Sequence, residues 1–167
     1  MGFLDRFKKT SAARTTDEPG PRAPTLPDPG EVPLADLPLS PESRRIDEAE
    51  RAHIAAALEA LAAEGVDVDD LASIGAGLDR ALTAWLADRG ADHDVVVQRH
   101  AVAVGEHLHR HTDLAWEVVT DVFGTDLAVA AGDFVVVPAN LVAVRWMRRE
   151  QGWVPGVVGH LVAVRDR

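Results

Sequence analysis

Three short β-branched runs between residues 115 and 138 constrain the fold most strongly. The first two runs flank Gly124, a residue that can take the positive φ needed to close a tight antiparallel hairpin. A third run, Phe134 to Val137, follows Gly132-Asp133 and stops at Pro138. Strand-forming runs separated by such turns predict a three-stranded antiparallel meander.

The same region carries motifs that resemble a known family. They are the strand Trp116-Glu-Val-Val-Thr-Asp121, the turn Gly124-Thr-Asp126 and a closing strand that ends in Pro138, with Gly105-Glu106 upstream and an arginine-rich helical segment downstream. Over roughly residues 69–165 the chain resembles the bacterial domain of unknown function DUF3806. The resemblance implies a fold and no activity. It also implies that Thr120, Asp121, Gly124, Thr125 and Asp126 form a shared turn.

Helical patterns precede the meander. Ser40-Pro41 has the pattern of an N-cap followed by proline at the first helical position, which predicts a first helix over about residues 41–64. Asp69 or Asp70 caps a second helix that closes near Gly90, and a third helix covers about residues 94–111. Gly75 and Gly77 in the second helix indicate close packing or a bend, and Gly105 in the third indicates close approach of a neighbouring element.

Helical patterns also follow the meander. Pro138 and Asn140 introduce a fourth helix, and a short helix is expected after Pro155 because the chain resembles a family that ends helically. The β-branched content of residues 155–164 also fits a strand. Helices first, strands next and helices last predict an α+β domain, with two or three helices packed on the meander and one or two after it.

Two segments before residue 40 differ in composition from the rest. Residues 10–39 contain seven of the ten prolines, so this segment is expected to be a disordered linker before a single domain at residues 40–167. Residues 1–9 form a short basic amphipathic segment in which Phe3, Leu4 and Phe7 could contact a membrane surface weakly. Co-sedimentation with anionic vesicles tests this contact: equal sedimentation of the chain with and without residues 1–9 would exclude it.

Charge and composition narrow the classes of function. Residues 40–140 hold 19 acidic side chains and 7 arginines, and residues 141–167 hold 5 arginines and 2 acidic side chains. An acidic body of net charge −12 repels phosphates, so no nucleic acid partner is expected. The chain has no cysteine and no signal-peptide pattern, which favours a cytoplasmic protein, and its bias towards Arg, Ala and Val is typical of bacteria with GC-rich genomes.

Histidines form the first candidate site. His107 and His111 are four residues apart on one helical face and could bind one metal ion, with Asp113 as a third ligand. The alternative is that these histidines are favoured by the helix C-terminus and lie half-exposed at the margin of the core. The glutamate of an HExxH motif is absent, which favours this alternative and predicts no metal.

The hairpin turn forms the second candidate site. Asp121 and Asp126 could act as an acid and base pair, and together with His107 and His111 they would define a hydrolase. Aspartate in a turn more often hydrogen-bonds its own backbone. No phosphate loop, dinucleotide fingerprint or complete catalytic set is present, so neither a cofactor nor a catalytic residue is expected.

The C-terminal arginines and tryptophans form the third candidate site. Trp and Arg are enriched at binding hot spots, and the pattern leaves open whether these tryptophans belong to the core or to an interface. The candidate interaction residues are Arg145, Trp146, Arg148, Arg149 and Trp153. The sequence therefore favours a non-catalytic protein-binding or regulatory module, with a metal-dependent hydrolase and a peripheral membrane protein as alternatives.

Overall fold

The computed structural model describes residues 42–89, 92–121 and 124–165. Residues 1–9, the expected linker 10–39 and Ser40-Pro41 lie outside the described residues. The elements, in chain order, are β1 (Glu42–Arg45), α1 (Glu48–Ala63), α2 (Leu71–Ala87), α3 (His93–His111), β2 (Ala115–Asp121), β3 (Gly124–Ala131), β4 (Phe134–Val136), α4 (Pro138–Arg148) and α5 (Val154–Arg165). The predicted α+β class is confirmed, including the final helix.

The sheet is antiparallel, with strand order β1-β2-β3-β4. β2 and β3 pair from Ala115 with Ala130 to Asp121 with Gly124, and Val136 of β4 pairs with Val129. The predicted meander is therefore present. Gly124 has a φ of +141°, the positive value that was predicted from the turn pattern.

The fourth strand, β1, differs from the prediction. It pairs with the free edge of β2, so a helix beginning at residue 41 is wrong for residues 42–45. α1 starts at Glu48 because Asp47 and Glu50 form a capping box. The Asp47 carboxylate accepts a hydrogen bond from the Glu50 N–H at 2.9 Å, and the Glu50 carboxylate accepts one from the Asp47 N–H at 2.8 Å. The preceding polar segment, Glu42-Ser-Arg-Arg45, has no apolar face to bury as a helix.

The core is built around α3, which contacts the other four helices and the β2–β3 hairpin. Every residue from Ala101 to Leu108 is buried. Gly105 allows the Trp116 indole to lie directly on the helix, since a Cβ at this position would stand 2.2 Å from the ring. Gly75 likewise lies 3.5 Å from Val154 and Pro155, measured from the position of a Cβ. The close packing predicted at these glycines is confirmed.

Within the described ranges, no helix is both long enough and apolar enough to cross a membrane.

Candidate functional site

His107 is more buried than expected. It is 5% exposed, so a half-exposed position is wrong for it, and His100 on the same helix is 1% exposed. The Nδ1 of His100 lies 3.0 Å from the Val96 carbonyl oxygen, and that of His107 lies 2.9 Å from the Val68 carbonyl oxygen. Burial lowers the pKa of both imidazoles, which favours their neutral forms.

The proposed metal ligands are brought together only in part. The ring centres of His107 and His111 lie 4.3 Å apart, and the ring planes are tilted by 32°. His111 instead faces Asp69, with Nε2 3.3 Å from Oδ1. Asp113 accepts hydrogen bonds from Arg165, which lower the pKa of its carboxyl group.

A second set of possible ligands occurs at the start of α3. Within the described ranges, the trio whose ligand atoms lie within 4.8 Å of one another is Asp92, His93 and Asp94, and all three are exposed. The Asp92 carboxylate accepts a hydrogen bond from the Asp94 N–H at 2.9 Å and thereby caps the helix. This cap accounts for the placement of Asp92.

A polar network that sequence reasoning missed joins α3 to the hairpin. The buried Glu106 carboxylate accepts hydrogen bonds from the Trp116 Nε1–H at 2.9 Å and from the Arg110 Nε–H at 2.8 Å. Arg110 also donates to Asp69 at 2.9 Å, and Asp69 in turn faces His111. The available signal was Glu106 itself, an acidic residue inside an otherwise apolar stretch of helix.

The predicted turn residues lie where β2 and β3 meet at the end of the hairpin. The hydroxyl oxygens of Thr120 and Thr125 lie 3.0 Å apart across the strands. Asp121 is opposite Gly124 and Asp126 is opposite Val119, so the two carboxylates lie on the same face of the hairpin. Both are half-buried. Asp126 also borders a cleft of about 200 Å³ beside α3.

The structure divides the predicted interaction residues into two groups. Trp146 and Trp153 are buried, at 4% and 9% exposure, so they belong to the core. The Arg145 guanidinium lies 4.6 Å from the centre of the Trp153 ring and covers it. Arg148 and Arg149 are exposed.

Apolar side chains are exposed beside these arginines. Of the five large apolar side chains exposed in the described ranges, four lie on β4, α4 and α5, and Met147 is the most exposed at 73%. Val135, Leu141, Val144 and Leu161 line a shallow cleft of about 430 Å³. We define the C-terminal surface as Val135, Leu141, Val144, Met147, Leu161 and Val164, with Arg145, Arg148 and Arg149 beside them.

Together, the fold and this surface define an α+β domain with an apolar patch bordered by arginines. Residues 78–157 match the family model DUF3806, a domain of unknown function. The match agrees with the resemblance that the motifs show, and it includes the hairpin and all of α4. Neither the curated proteins nor the solved structures include one that matches the chain.

Proposed function

We propose that this domain is a non-catalytic module that binds a protein partner through the C-terminal surface. The observation that carries the proposal is that the exposed Val135 and Val144 line one cleft with Arg145. Met147, Arg148 and Arg149 are also exposed, at the end of the same helix as Val144. Contiguous apolar surface bordered by polar residues is typical of protein interfaces.

Charge specifies the chemistry of the partner. The surface belongs to the basic end of the chain. Residues 141–167 contain 5 arginines and only 2 acidic residues. Glu150 is close to both neighbouring arginines, with carboxylate oxygens 3.9 Å from Arg145 and 3.7 Å from Arg148. The long contact with Glu150 leaves the Arg148 guanidinium available for a stronger, closer pair. The expected partner segment is acidic and carries at least one large apolar side chain for the cleft.

The backbone of Arg149 supports the same proposal. Arg149 ends α4 with φ 57° and ψ 33°, in the left-handed region where glycine is usual. A side chain at this position costs about 1 kcal/mol relative to glycine. An exposed arginine in a strained backbone conformation is consistent with a role in binding.

Charge reversal tests the proposal. Capture from the native host should recover an acidic partner with the wild-type chain, and Arg148→Glu with Arg149→Glu should reduce recovery at least ten-fold. Arg80→Glu with Arg89→Glu, on exposed positions of α2 and the residues after it, is the matched control and should bind normally. Equal recovery with the two double variants would contradict the proposal.

A further inference from the structure

We propose that the partner segment binds in an extended conformation and adds a strand to the sheet beside β4. This binding mode rests on the proposed function, because it concerns the same C-terminal surface. Among the described residues, β4 pairs with β3 alone, so its other edge is free. A free edge offers backbone N–H and C=O groups to a strand of another chain.

The turn between β3 and β4 shows which backbone groups are free. Gly132-Asp133 is a two-residue turn whose glycine has a φ of +60°. The residues that flank such a turn, Ala131 and Phe134, form a hydrogen-bonded pair. Bonded and non-bonded pairs alternate along the ladder, so the next pair, Ala130 with Val135, is non-bonded. The N–H and C=O of Val135 therefore point away from β3, and no hydrogen bond outside the sheet joins them to another described residue.

The two edges of the sheet differ in a way that favours β4. Charged side chains on an edge strand discourage pairing with another chain. β1, at the opposite edge, has three charged side chains among its four residues, Glu42 to Arg45. β4 is Phe134-Val-Val136, which carries no charge, and Val135 is 40% exposed. β4 is therefore the edge that can accept a further strand.

The cleft of the C-terminal surface is continuous with this edge, since β4, α4 and α5 all border it. Val136 pairs with Val129 on the face of the sheet that packs against the helices, and both are buried. Side chains of an added strand would alternate between the two faces of the sheet. Those on the helix face would enter the cleft beside Leu141 and Leu161.

Charge selects the occupant of the edge. Arg145 borders the cleft, and Arg148, one turn further along α4, is exposed. These cations favour a strand that carries acidic side chains. A second copy of the chain, paired through its own β4, would bring the same arginines towards each other. The occupant is therefore an extended segment of another protein that contains acidic and apolar side chains.

Amide hydrogen exchange of the full chain, measured by NMR with a synthetic peptide, tests this binding mode. The probe is acetyl-Glu-Glu-Val-Leu-Val-Glu-Glu-amide, in which the leucine and two of the glutamates share one face of a strand. At saturating peptide, the Val135 amide should exchange at least ten-fold more slowly than in the free chain, because its N–H then donates to the added strand. The same peptide with methylated nitrogens on its three central residues should bind at least ten-fold more weakly, because it lacks the N–H donors.

Two variants at Val135 localise the pairing. Val135→Pro removes the outward N–H but no hydrogen bond with β3, so the fold should be retained. It should weaken peptide binding about ten-fold, whereas Val135→Thr, which has a similar shape and keeps the N–H, should not.

Three results would overturn the added strand. They are no binding at millimolar peptide, equal binding of the peptide to the two Val135 variants, and binding that shifts the Met147 resonances while Val135 exchange is unchanged. The last result would leave the proposed function standing, because the surface would still bind a protein segment. Capture with the charge-reversed Arg148 and Arg149 tests the proposed function separately.

Discussion

At the scale of single residues, the side chain of Glu106 joins α3 to the hairpin. It accepts from Trp116 in the hairpin and from Arg110 on its own helix, and it is 9% exposed. A buried carboxylate is costly unless charged or polar donors compensate it, and here both oxygens have such donors. Glu106 therefore fixes the position of Trp116 as well as stabilising the fold.

Glu106→Gln should lower the free energy of unfolding by about 1–3 kcal/mol. The amide has one acceptor oxygen, so its NH₂ group must face either the Trp116 or the Arg110 donor, and the ion pair is lost. Urea unfolding measures the effect, with Glu59→Gln on the exposed surface of α1 as the control. Equal midpoints for the two variants would show that the network contributes nothing to stability.

Arg149→Gly should stabilise the domain by about 1 kcal/mol, because glycine adopts the left-handed conformation without strain. The same variant should weaken binding of the acidic partner. Arg148→Gly is the matched control: inside the helix it should destabilise by about 1 kcal/mol. Thermal unfolding checks both values, and a less stable Arg149→Gly would contradict this account of the helix end.

The buried histidines should make stability depend on pH. Burial lowers the pKa of His100 and His107 below the ordinary 6.5. As the pH falls, the unfolded chain therefore binds more protons than the folded chain. The two neutral imidazoles contribute their full stability above pH 6.5. This contribution is lost as the pH falls through the lowered pKa values of the folded state. His100→Leu should reduce this loss between about pH 7 and pH 5, measured by urea unfolding, whereas His160→Leu, at an exposed position of α5, should not.

At the scale of elements, the hairpin end depends on its backbone. Gly124→Val should destabilise by about 1–3 kcal/mol, since a β-branched residue is strained at a φ of +141°. Apart from its chain neighbours, no atom of the described residues lies within 4 Å of a Cβ placed there, so strain of the backbone is the expected cause. Asp126→Asn keeps the size of the side chain and should have a smaller effect. Equal urea midpoints would exclude strain at Gly124.

Elements specified by neighbouring residues could be predicted from the sequence. The Gly124 hairpin, the Asp70 cap of α2 and the glycine at position 105 each leave a local signal. β1 could not be predicted, because its pairing joins residues more than seventy positions apart, such as Glu42 and Thr120. The capping box of Asp47 and Glu50, which fixes the start of α1, can be recognised in the sequence. Ser40-Pro41 also has the pattern of a helix start, and this pattern led to the wrong prediction.

The candidate site was less predictable because its contacts also join residues that are far apart in the sequence. The contacts of Arg110 with Asp69 and of Arg165 with Asp113 join residues 41 and 52 positions apart. Residue type could not separate buried Trp146 and Trp153 from exposed Met147, which follows Trp146 directly. Residue type therefore predicted where the interaction region lies, and packing determined which of its side chains are exposed.

At the scale of the whole molecule, the described residues place two distinct surfaces around one central helix. α3 contacts all the other helices and holds the hairpin through Gly105 and Glu106. A cleft of about 200 Å³ opens beside α3, whereas the C-terminal surface lies on β4, α4 and α5. The charge of the chain is divided in the same way, with an acidic body and a basic end.

Site-specific photo-crosslinking in the native host tests the central claim, that the C-terminal surface binds a protein. A photoreactive side chain at Met147 should form a covalent adduct with one acidic protein, and Arg148→Glu with Arg149→Glu should abolish the adduct. The same side chain at Val95, an apolar position on α3 that is 52% exposed, should form none. Adducts that appear equally from both positions, or that survive the charge reversal, would contradict the claim.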